Sequence, residues 1–306
     1  MAVEMLIRKL IPSTVLIARN TLFSVASRVI DATYGRYAQW RMGVTMPPLR
    51  YMVRTGVGNN IFFPHFYYAT AANNMWQYFF SCGLAKLDSH IVDIGCGCGK
   101  SAAILRDFKY AETRFSGHYY GFDIDHEQVE WCSRNFPADR FTFCSVDGNS
   151  TVYPSSGRAP VDKNLSICDD QSIDFVFSQS LFSHLLEDDL QRYLKESYRV
   201  LRPGGAMCMT FFCLEDLQNL GLLGKRWSFR YKEGRARVEN PAFPEAAVAY
   251  EKAVLIKIAS SAGFSRPEVI LPSYQSSLLC IKPAVPNEPI TKLITEYGQF
   301  TPRFLA

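Results

Sequence analysis

The chain has 306 residues, of which 48% are hydrophobic, and its formal net charge is +4 at pH 7. This length fits one large domain with appendages, and the apolar content excludes global disorder. The mild charge argues against wholesale nucleic-acid binding, so no DNA partner is expected and an RNA partner is disfavoured. The nine cysteines are too dilute for a disulfide scaffold and lack zinc-site spacing, which favours a reducing, cytoplasmic compartment and predicts no metal.

The first 54 residues combine hydrophobic and basic side chains. They carry eight Lys or Arg residues against two acids, Glu4 and Asp31. The basic residues interrupt every long apolar run, so a membrane-spanning helix is disfavoured. Three alternatives stay open for this region: a helix packed on the domain, an interfacial helix in peripheral contact with anionic lipid, or a transit-type targeting segment.

After residue 80, short apolar runs alternate with amphipathic stretches, which indicates alternating strands and helices. Strands are predicted at 90–94, 118–123, 140–147, 172–178, 205–212, 268–270 and 277–281. Helices are predicted at 99–108, 125–135 with Asp125 as the N-cap, 187–200 and 244–262. This order is typical of an α/β fold with a mostly parallel sheet covered by helices.

Residues 91–101 read IVDIGCGCGKS, a segment that fits three kinds of site. An ATP phosphate loop requires Gly, four residues and then Gly-Lys-Ser, but Gly95 is one residue too close to Gly99. A metal or redox pair of Cys96 and Cys98 would need further ligands that the local sequence does not supply. The third alternative, a turn that approaches a nucleotide-type cofactor, is therefore favoured.

Three glycines in this segment, Gly95, Gly97 and Gly99, allow a sharp bend and a close approach to a ligand. Their GxGxG spacing differs from the GxGxxG of dinucleotide-binding folds, which argues against a nicotinamide dehydrogenase. Asp93 precedes the glycines, and Asp123 ends the next strand. Two carboxylates suit a ligand with a cationic end, a ribose diol and no phosphate, as in S-adenosylmethionine.

Five motifs occur in a specific order: VDIGCGCGK, YYGFDID, SVDG, SIDFVFSQSLFSHL and RVLRPGGAMCMTFF. Together they resemble the successive motifs of class I S-adenosylmethionine-dependent methyltransferases, over residues 75–283. The resemblance implies a Rossmann-like seven-stranded sheet, mostly parallel, with helices on both faces and an antiparallel last strand. The predicted organisation is an N-terminal extension (1–74), the methyltransferase domain (75–283) with substrate-side insertions (148–170 and 214–241), and a C-terminal tail (284–306).

The resemblance also implies S-adenosyl-L-methionine as cofactor and a role for individual residues. Asp93, Gly95, Gly97 and Gly99 are expected to line the methionine part of the cofactor, and Asp123 to hold the ribose hydroxyls. Ile124 and Asp147 are expected at the adenine, and Ser178 and Gln179 beside the transferred methyl. Gly148 is also expected to bind the cofactor. A capping or turn role is the alternative for Asp147. His184, six residues past the fourth strand, is the candidate general base, and ordering of its loop is the alternative.

The expected reaction is methyl transfer to a small-molecule acceptor, most readily a hydroxyl of a sugar, a polyketide or a lipid-linked compound. Carbon or nitrogen acceptors need no base. The segment GKRWSFRYKEGRAR (224–237) interleaves six basic residues with three aromatic ones, which suits contact with an anionic acceptor, a membrane or RNA, or a solvated loop. The alternative function is a catalytically weak protein of this fold that acts as an assembly partner. The sequence makes no prediction of oligomeric state.

Overall fold

The computed structural model describes residues 23–55, 64–107, 109–110, 113–146 and 165–284. The strands in these residues are β1 (His90–Ile94), β2 (Lys109–Tyr110), β3 (Thr113–Arg114), β4 (His118–Asp123), β5 (Phe141–Ser145), β6 (Ile173–Ser178), β7 (Leu201–Cys213), β8 (Tyr231–Glu233), β9 (Ala236–Val238), β10 (Val248–Tyr250), β11 (Ser265–Ile270) and β12 (Ser276–Ile281). The helices are α1 (Arg36–Met42), α2 (Leu49–Met52), α3 (Pro64–Ser81), α4 (Lys100–Asp107), α5 (His126–Asn135), α6 (Glu187–Val200), α7 (Leu214–Asn219) and α8 (Lys252–Ser261). Residues 23–30 are helical and run into α1 through a π-helical turn, Asp31–Gly35.

The central sheet has the order β5-β4-β1-β6-β7, and β12 and then β11 continue it beyond β7. The strands from β5 to β7 are parallel to their neighbours, whereas β12 runs antiparallel to β7. The predicted Rossmann-like, mostly parallel sheet with an antiparallel last strand is confirmed. It has ten strands in the described residues rather than seven, because β10, β9 and β8 continue it from the end of β7. The four parallel connections require crossovers, and α4, α5 and α6 supply three of them within the described residues.

Helices cover both faces of this sheet because successive residues of its strands point to opposite sides. Ile91, Phe175 and Phe177 belong to one core cluster, which also contains side chains of α3, α4 and α5. Val92 and Val176 belong to a second cluster, which contains side chains of α6 and α8. The near-continuous apolar runs in the sequence therefore correspond to strands that are buried on both faces.

Two element boundaries differ from the sequence-based prediction. The predicted helix at 244–262 is wrong in its first half, because Val248–Tyr250 forms β10 and the helix begins at Lys252. This strand pairs with the end of β7 and with β9, and the Tyr250 hydroxyl donates to the Leu185 carbonyl oxygen at 2.9 Å. In addition, β7 begins at Leu201 rather than near residue 205. The predicted N-cap of α5 is confirmed, since the Asp125 carboxylate accepts from the Gln128 amide.

Helix α3 packs the N-terminal region onto the sheet. Trp76 is fully buried, its ring lies 5.1 Å from that of Phe177, and its indole N–H donates to the Ser101 carbonyl oxygen at 2.9 Å. The predicted domain boundary at residue 74 falls inside this helix, and the division of the chain stays a prediction. Of the helices in the described ranges, none combines the length and the apolar character needed to cross a bilayer.

Trp76→Ala should lower the free energy of unfolding by about 3–5 kcal/mol, because it empties a fully buried site and removes the donor to Ser101. Urea denaturation followed by circular dichroism measures the change. Trp40, which is 77% exposed, is the matched control, and Trp40→Ala should change stability by less than about 0.5 kcal/mol. Equal losses in the two variants would contradict this account of the core.

Candidate functional site

The turn between β1 and α4 is held against the end of β4 by hydrogen bonds. The amides of Gly95 and Cys96 both donate to the Phe122 carbonyl oxygen, at 2.7 and 3.0 Å. The Gly97 amide donates to Asp123 Oδ2 at 2.7 Å. Since β1 and β4 are parallel neighbours, their carboxyl ends lie together, and this is where open α/β sheets bind ligands.

The three glycines of this turn all have left-handed backbone angles, with φ of 85° at Gly95, 52° at Gly97 and 78° at Gly99. A Cβ atom at Gly97 would lie 2.5 Å from Thr55 Cγ2, and one at Gly99 would lie 3.0 Å from Cys132 Sγ. Both the backbone conformation and the lack of space therefore require glycine. The result is a close backbone approach of the kind that a cofactor turn needs.

Asp93 lies in β1 directly before the turn and is only 2% exposed. Its carboxylate accepts a short hydrogen bond from the Tyr119 hydroxyl. Burial raises the pKa of Asp93 to about 7, and repulsion by Asp123 adds to this, whereas the Tyr119 hydrogen bond and Lys100 oppose it. A cation beside Asp93 would favour its ionised form, so the site suits a positively charged ligand group. The sequence prediction did not include Tyr119.

Asp123 ends β4, and both of its carboxylate oxygens accept backbone hydrogen bonds. Oδ2 accepts from Gly97, and Oδ1 accepts from the Asp125 amide at 2.9 Å. Burial raises its pKa, which these donors oppose. A carboxylate has about four acceptor positions, so Asp123 retains capacity for the hydroxyls of a diol. Ile124 follows it and is half-buried against the second core cluster.

The end of β6 contributes two of the predicted residues. Ser178 is buried, and its hydroxyl donates to the Ile94 carbonyl oxygen at 2.7 Å, which ties β6 to β1. Gln179 is half-buried at the start of the following loop. Because β1 and β6 are parallel neighbours, this loop lies beside the glycine turn, where Leu181 Cβ is 3.2 Å from the place of a Cβ at Gly95.

A hydrogen-bond network that the sequence analysis missed braces this loop. Ser180 has a left-handed φ of 61°, and its amide donates to Thr210 Oγ1 at 2.7 Å. Gln275, between β11 and β12, accepts from the Ser180 hydroxyl at 2.8 Å and donates to Ser183 Oγ at 3.1 Å. Gln275 is 95 residues from Ser180 in the chain, so only the pairing of β12 with β7 brings them together.

His184 ends a 3₁₀ turn, Phe182–His184, in the same loop. Its Nδ1 lies 2.9 Å from the Glu245 carbonyl oxygen, so we assign the ring proton to Nδ1 and the free lone pair to Nε2. Burial lowers the pKa of His184, although its backbone contacts at Glu245 and Ala246 oppose the shift. A neutral imidazole with an accepting Nε2 is the form that a general base requires.

The N-terminal region forms one wall of the site. Thr55 packs over Gly97, and Arg54 Nη1 lies 2.9 Å from Asp125 Oδ2 and 3.0 Å from Glu127 Oε2. From α3, the Tyr68 hydroxyl donates to the Cys98 carbonyl oxygen at 3.2 Å. Of the alternatives for the first 54 residues, packing on the domain holds for α2, whose side chains Leu49, Tyr51 and Met52 are buried in the first core cluster. The predicted residues Asp147 and Gly148 lie outside the described residues, as does the segment before residue 23.

Two of the three aromatic residues of the basic segment 224–237, Trp227 and Phe229, belong to a satellite core, whereas Tyr231 is exposed. Trp227 and Phe229 stack with ring centroids 5.6 Å apart, and both pack against Phe212. The exposed basic residues of the segment are Lys225, Arg226, Arg230, Lys232 and Arg235. These side chains, rather than the two buried rings, are available for contact with a bound molecule.

The raised pKa of Asp93 predicts a specific pH dependence of stability. The folded protein keeps a proton that the unfolded chain releases above the ordinary pKa of 3.8. The contribution of Asp93 to the unfolding free energy is therefore fully present below pH 3.8 and is lost as the pH rises through about 7. Asp93→Asn keeps a neutral side chain, so its stability relative to wild type should rise between about pH 5 and about pH 8.

Urea denaturation at both pH values measures this difference, with exposed Asp169→Asn as the matched control. The control should follow the wild-type profile. If Asp93→Asn also followed it, the proposed protonation of Asp93 would be excluded.

Comparison with known proteins finds similarity over the segment that contains this site. A family model described as a methyltransferase domain matches residues 92–209. The arsenite methyltransferase of Aquipseudomonas alcaligenes is 29% identical over 137 residues, and the match covers 42% of this chain and 35% of that protein. This chain thus spans about a third (35%) of the length of that relative.

Solved structures of similar proteins include the PH0226 protein from Pyrococcus horikoshii OT3, at 17% identity and a TM-score of 0.46, covering 70% of this chain and 92% of that one. Another is a SAM-dependent methyltransferase from Aquifex aeolicus, at 18% identity and a TM-score of 0.41, covering 67% and 88% of the two chains. The family match runs from Val92 in β1 to Met209 in β7 and includes the glycine turn and Asp123. Residues 92–209 of this chain are therefore similar to a methyltransferase domain.

Proposed function

We propose that the protein transfers the methyl group of S-adenosylmethionine to a hydroxyl of a small molecule, with His184 as the general base. The observation that carries this proposal is the hydrogen bonding and protonation of the His184 ring. Its Nδ1 is engaged by the Glu245 carbonyl oxygen, and its lowered pKa keeps the imidazole neutral. Oxygen acceptors must lose a proton during methylation, whereas many carbon and nitrogen acceptors need no base of this kind.

The cofactor contacts in this proposal follow from charge and hydrogen-bonding capacity. Asp93 would balance the cationic methionine end, the glycine turn would allow its close approach, and Asp123 would accept from the ribose hydroxyls. Ile124 would contact the adenine. From the sequence alone, Asp147 keeps its proposed place near the adenine and Gly148 its proposed contact with the cofactor.

The loop after β6 would border the reacting methyl in this proposal. When bound, S-adenosylmethionine supplies an electrophilic methyl group on a sulfonium. His184 Nε2 would take the proton of the acceptor hydroxyl, and Gln179 and the Ser178 backbone would shape the space between them. The Ser180–Gln275–Ser183 network would hold the loop in one conformation, which matters because alignment accounts for much of the catalysis in a direct displacement.

Asp123→Ala should weaken S-adenosylmethionine binding by about 1–3 kcal/mol, because the ribose hydroxyls lose their acceptor. Isothermal titration with S-adenosylmethionine and S-adenosylhomocysteine measures the loss, and NAD and ATP serve as control ligands for wild type. Asp169→Ala is the matched control, since Asp169 is exposed and outside the turn. Unchanged affinity in Asp123→Ala would refute the ribose assignment, and no binding of either adenosyl ligand to wild type would refute the cofactor site.

His184→Ala should lower turnover by about 100-fold or more with a hydroxyl acceptor, while cofactor affinity stays unchanged. Release of S-adenosylhomocysteine reports turnover in a screen of sugars, phenols and lipid alcohols, with arsenite included because of the related methyltransferase. The wild-type rate should rise with pH through a pKa below 6.5, and this dependence should vanish in the variant.

Exposed His90→Ala is the matched control for the histidine and should retain wild-type turnover. Full activity of His184→Ala would remove the base role and favour a carbon or nitrogen acceptor.

A further inference from the structure

Large hydrophobic side chains are concentrated on one exposed part of the molecule. Of the twelve that are exposed in the described residues, nine lie between residues 23 and 67. We define the aromatic surface as Val29, Tyr34, Tyr37, Trp40 and Phe66. Soluble monomers rarely expose such side chains as a contiguous group, and groups of this kind mark contact sites.

Ring contacts connect three of the five members of the aromatic surface. The Tyr34 and Tyr37 ring centroids are 6.4 Å apart, and those of Tyr37 and Trp40 are 6.0 Å apart. Tyr34 also contacts the His65 ring edge-on at 5.2 Å, which brings the start of α3 and the exposed Phe66 beside it. The surface therefore spans both the stretch 23–42 and the beginning of α3.

The stretch 23–42 packs on the domain with its small side chains. Ser27, Gly35 and Ala38 are buried, and a Cβ at Gly35 would lie 3.1 Å from His65 Nε2. The bulky side chains point outward instead, with Tyr37 56% and Trp40 77% exposed. This is the reverse of an ordinary surface helix, which buries its apolar face. The outward apolar face does not pack within the described fold and is therefore available for contact with another molecule.

The charge around the aromatic surface is strongly one-sided. Between residues 32 and 87 the sequence contains no Asp or Glu, but it has four Arg residues and Lys86. Arg28, Arg36 and Arg41 are exposed on the stretch 23–42. Its acid, Asp31, is engaged by the Leu49 amide at 2.9 Å. The counterpart of this surface should therefore be anionic.

Tyr and Trp beside Arg are typical of protein segments at a membrane–water interface, where the rings enter the headgroup layer and the cations meet anionic lipids. RNA would use the cations and rings but not the aliphatic Val29 and its neighbours Val25 and Ile30, which are also exposed. An apolar layer under an anionic surface uses all three kinds of side chain.

We propose that the aromatic surface binds the surface of an anionic lipid bilayer in peripheral contact. The surface is adjacent to the cofactor turn, since Lys100, the first residue of α4, lies 5.1 Å from the Tyr67 ring beside Phe66. Membrane contact would thus hold the reaction site next to the bilayer. The proposal does not rest on the identity of the methyl acceptor, because vesicle binding is measured without turnover.

The test is flotation of the full chain with vesicles of phosphatidylcholine alone or with about one third phosphatidylserine. Wild type should float with the anionic vesicles, and added salt should weaken the binding. Tyr37→Ser/Trp40→Ser and Arg36→Glu/Arg41→Glu should each bind about tenfold more weakly or worse. The matched controls are Ile167→Ser/Leu220→Ser, two exposed hydrophobic residues elsewhere, and Lys195→Glu/Lys257→Glu, and both should bind as wild type does.

Two further measurements distinguish a loss of membrane contact from unfolding and from a loss of cofactor binding. All four variants should keep the wild-type circular dichroism spectrum and affinity for S-adenosylmethionine. Brominated lipids should quench tryptophan fluorescence of wild type and not of Trp40→Phe.

The proposal is overturned if wild type floats with neither vesicle, or if the surface variants float as well as the controls. It is also overturned if the variants instead abolish a dimer, seen by analytical ultracentrifugation, or binding to RNA. A failed cofactor titration with intact vesicle binding would reject the proposed enzymatic site and leave the membrane surface supported.

Discussion

The carboxylate of Asp123 is the junction on which the rest of the site depends. It accepts one backbone hydrogen bond from the glycine turn after β1 and one from the start of α5 after β4. Parallel strands place both segments at the same edge of the sheet, but they do not by themselves fix the path of the turn. The Gly97 amide bound to Asp123 fixes that path, and the left-handed glycines make it accessible without a steric penalty.

Burial of acidic groups is the electrostatic constraint at this edge. Asp93 is buried and Asp123 is partly buried beside it, so the pKa of each is raised. At Asp123, backbone amides stabilise the charged carboxylate. At Asp93, the Tyr119 hydroxyl and Lys100 do so in part. A cationic ligand would complete this stabilisation. In the proposed function, the same arrangement that costs stability in the free protein would provide affinity for a sulfonium-bearing cofactor.

The N-terminal region connects the site to its surroundings. Thr55 and Tyr68 contact the glycine turn directly, while the outward side of the neighbouring stretch 23–42 presents aromatic and basic residues. The described parts of this region thereby contact the glycine turn on one side and form an exposed apolar surface on the other. A hydroxyl-bearing acceptor held at a membrane would reach the site from this side of the molecule.

The sequence by itself determined the α/β order, the parallel sheet, the glycine turn and the cofactor class, because these follow from local patterns. Apolar runs buried on both faces, glycines between a strand and a helix, and an acid at the next strand end are all readable within about ten residues. The helix predicted at 244–262 was wrong in its first half because Val248–Tyr250 forms a strand through pairing with β7. Only the tertiary structure decided the partners of Asp93, the Gln275 brace, the contact of His184 Nδ1 with Glu245 and the outward direction of Trp40, because each depends on contacts between residues far apart in the chain.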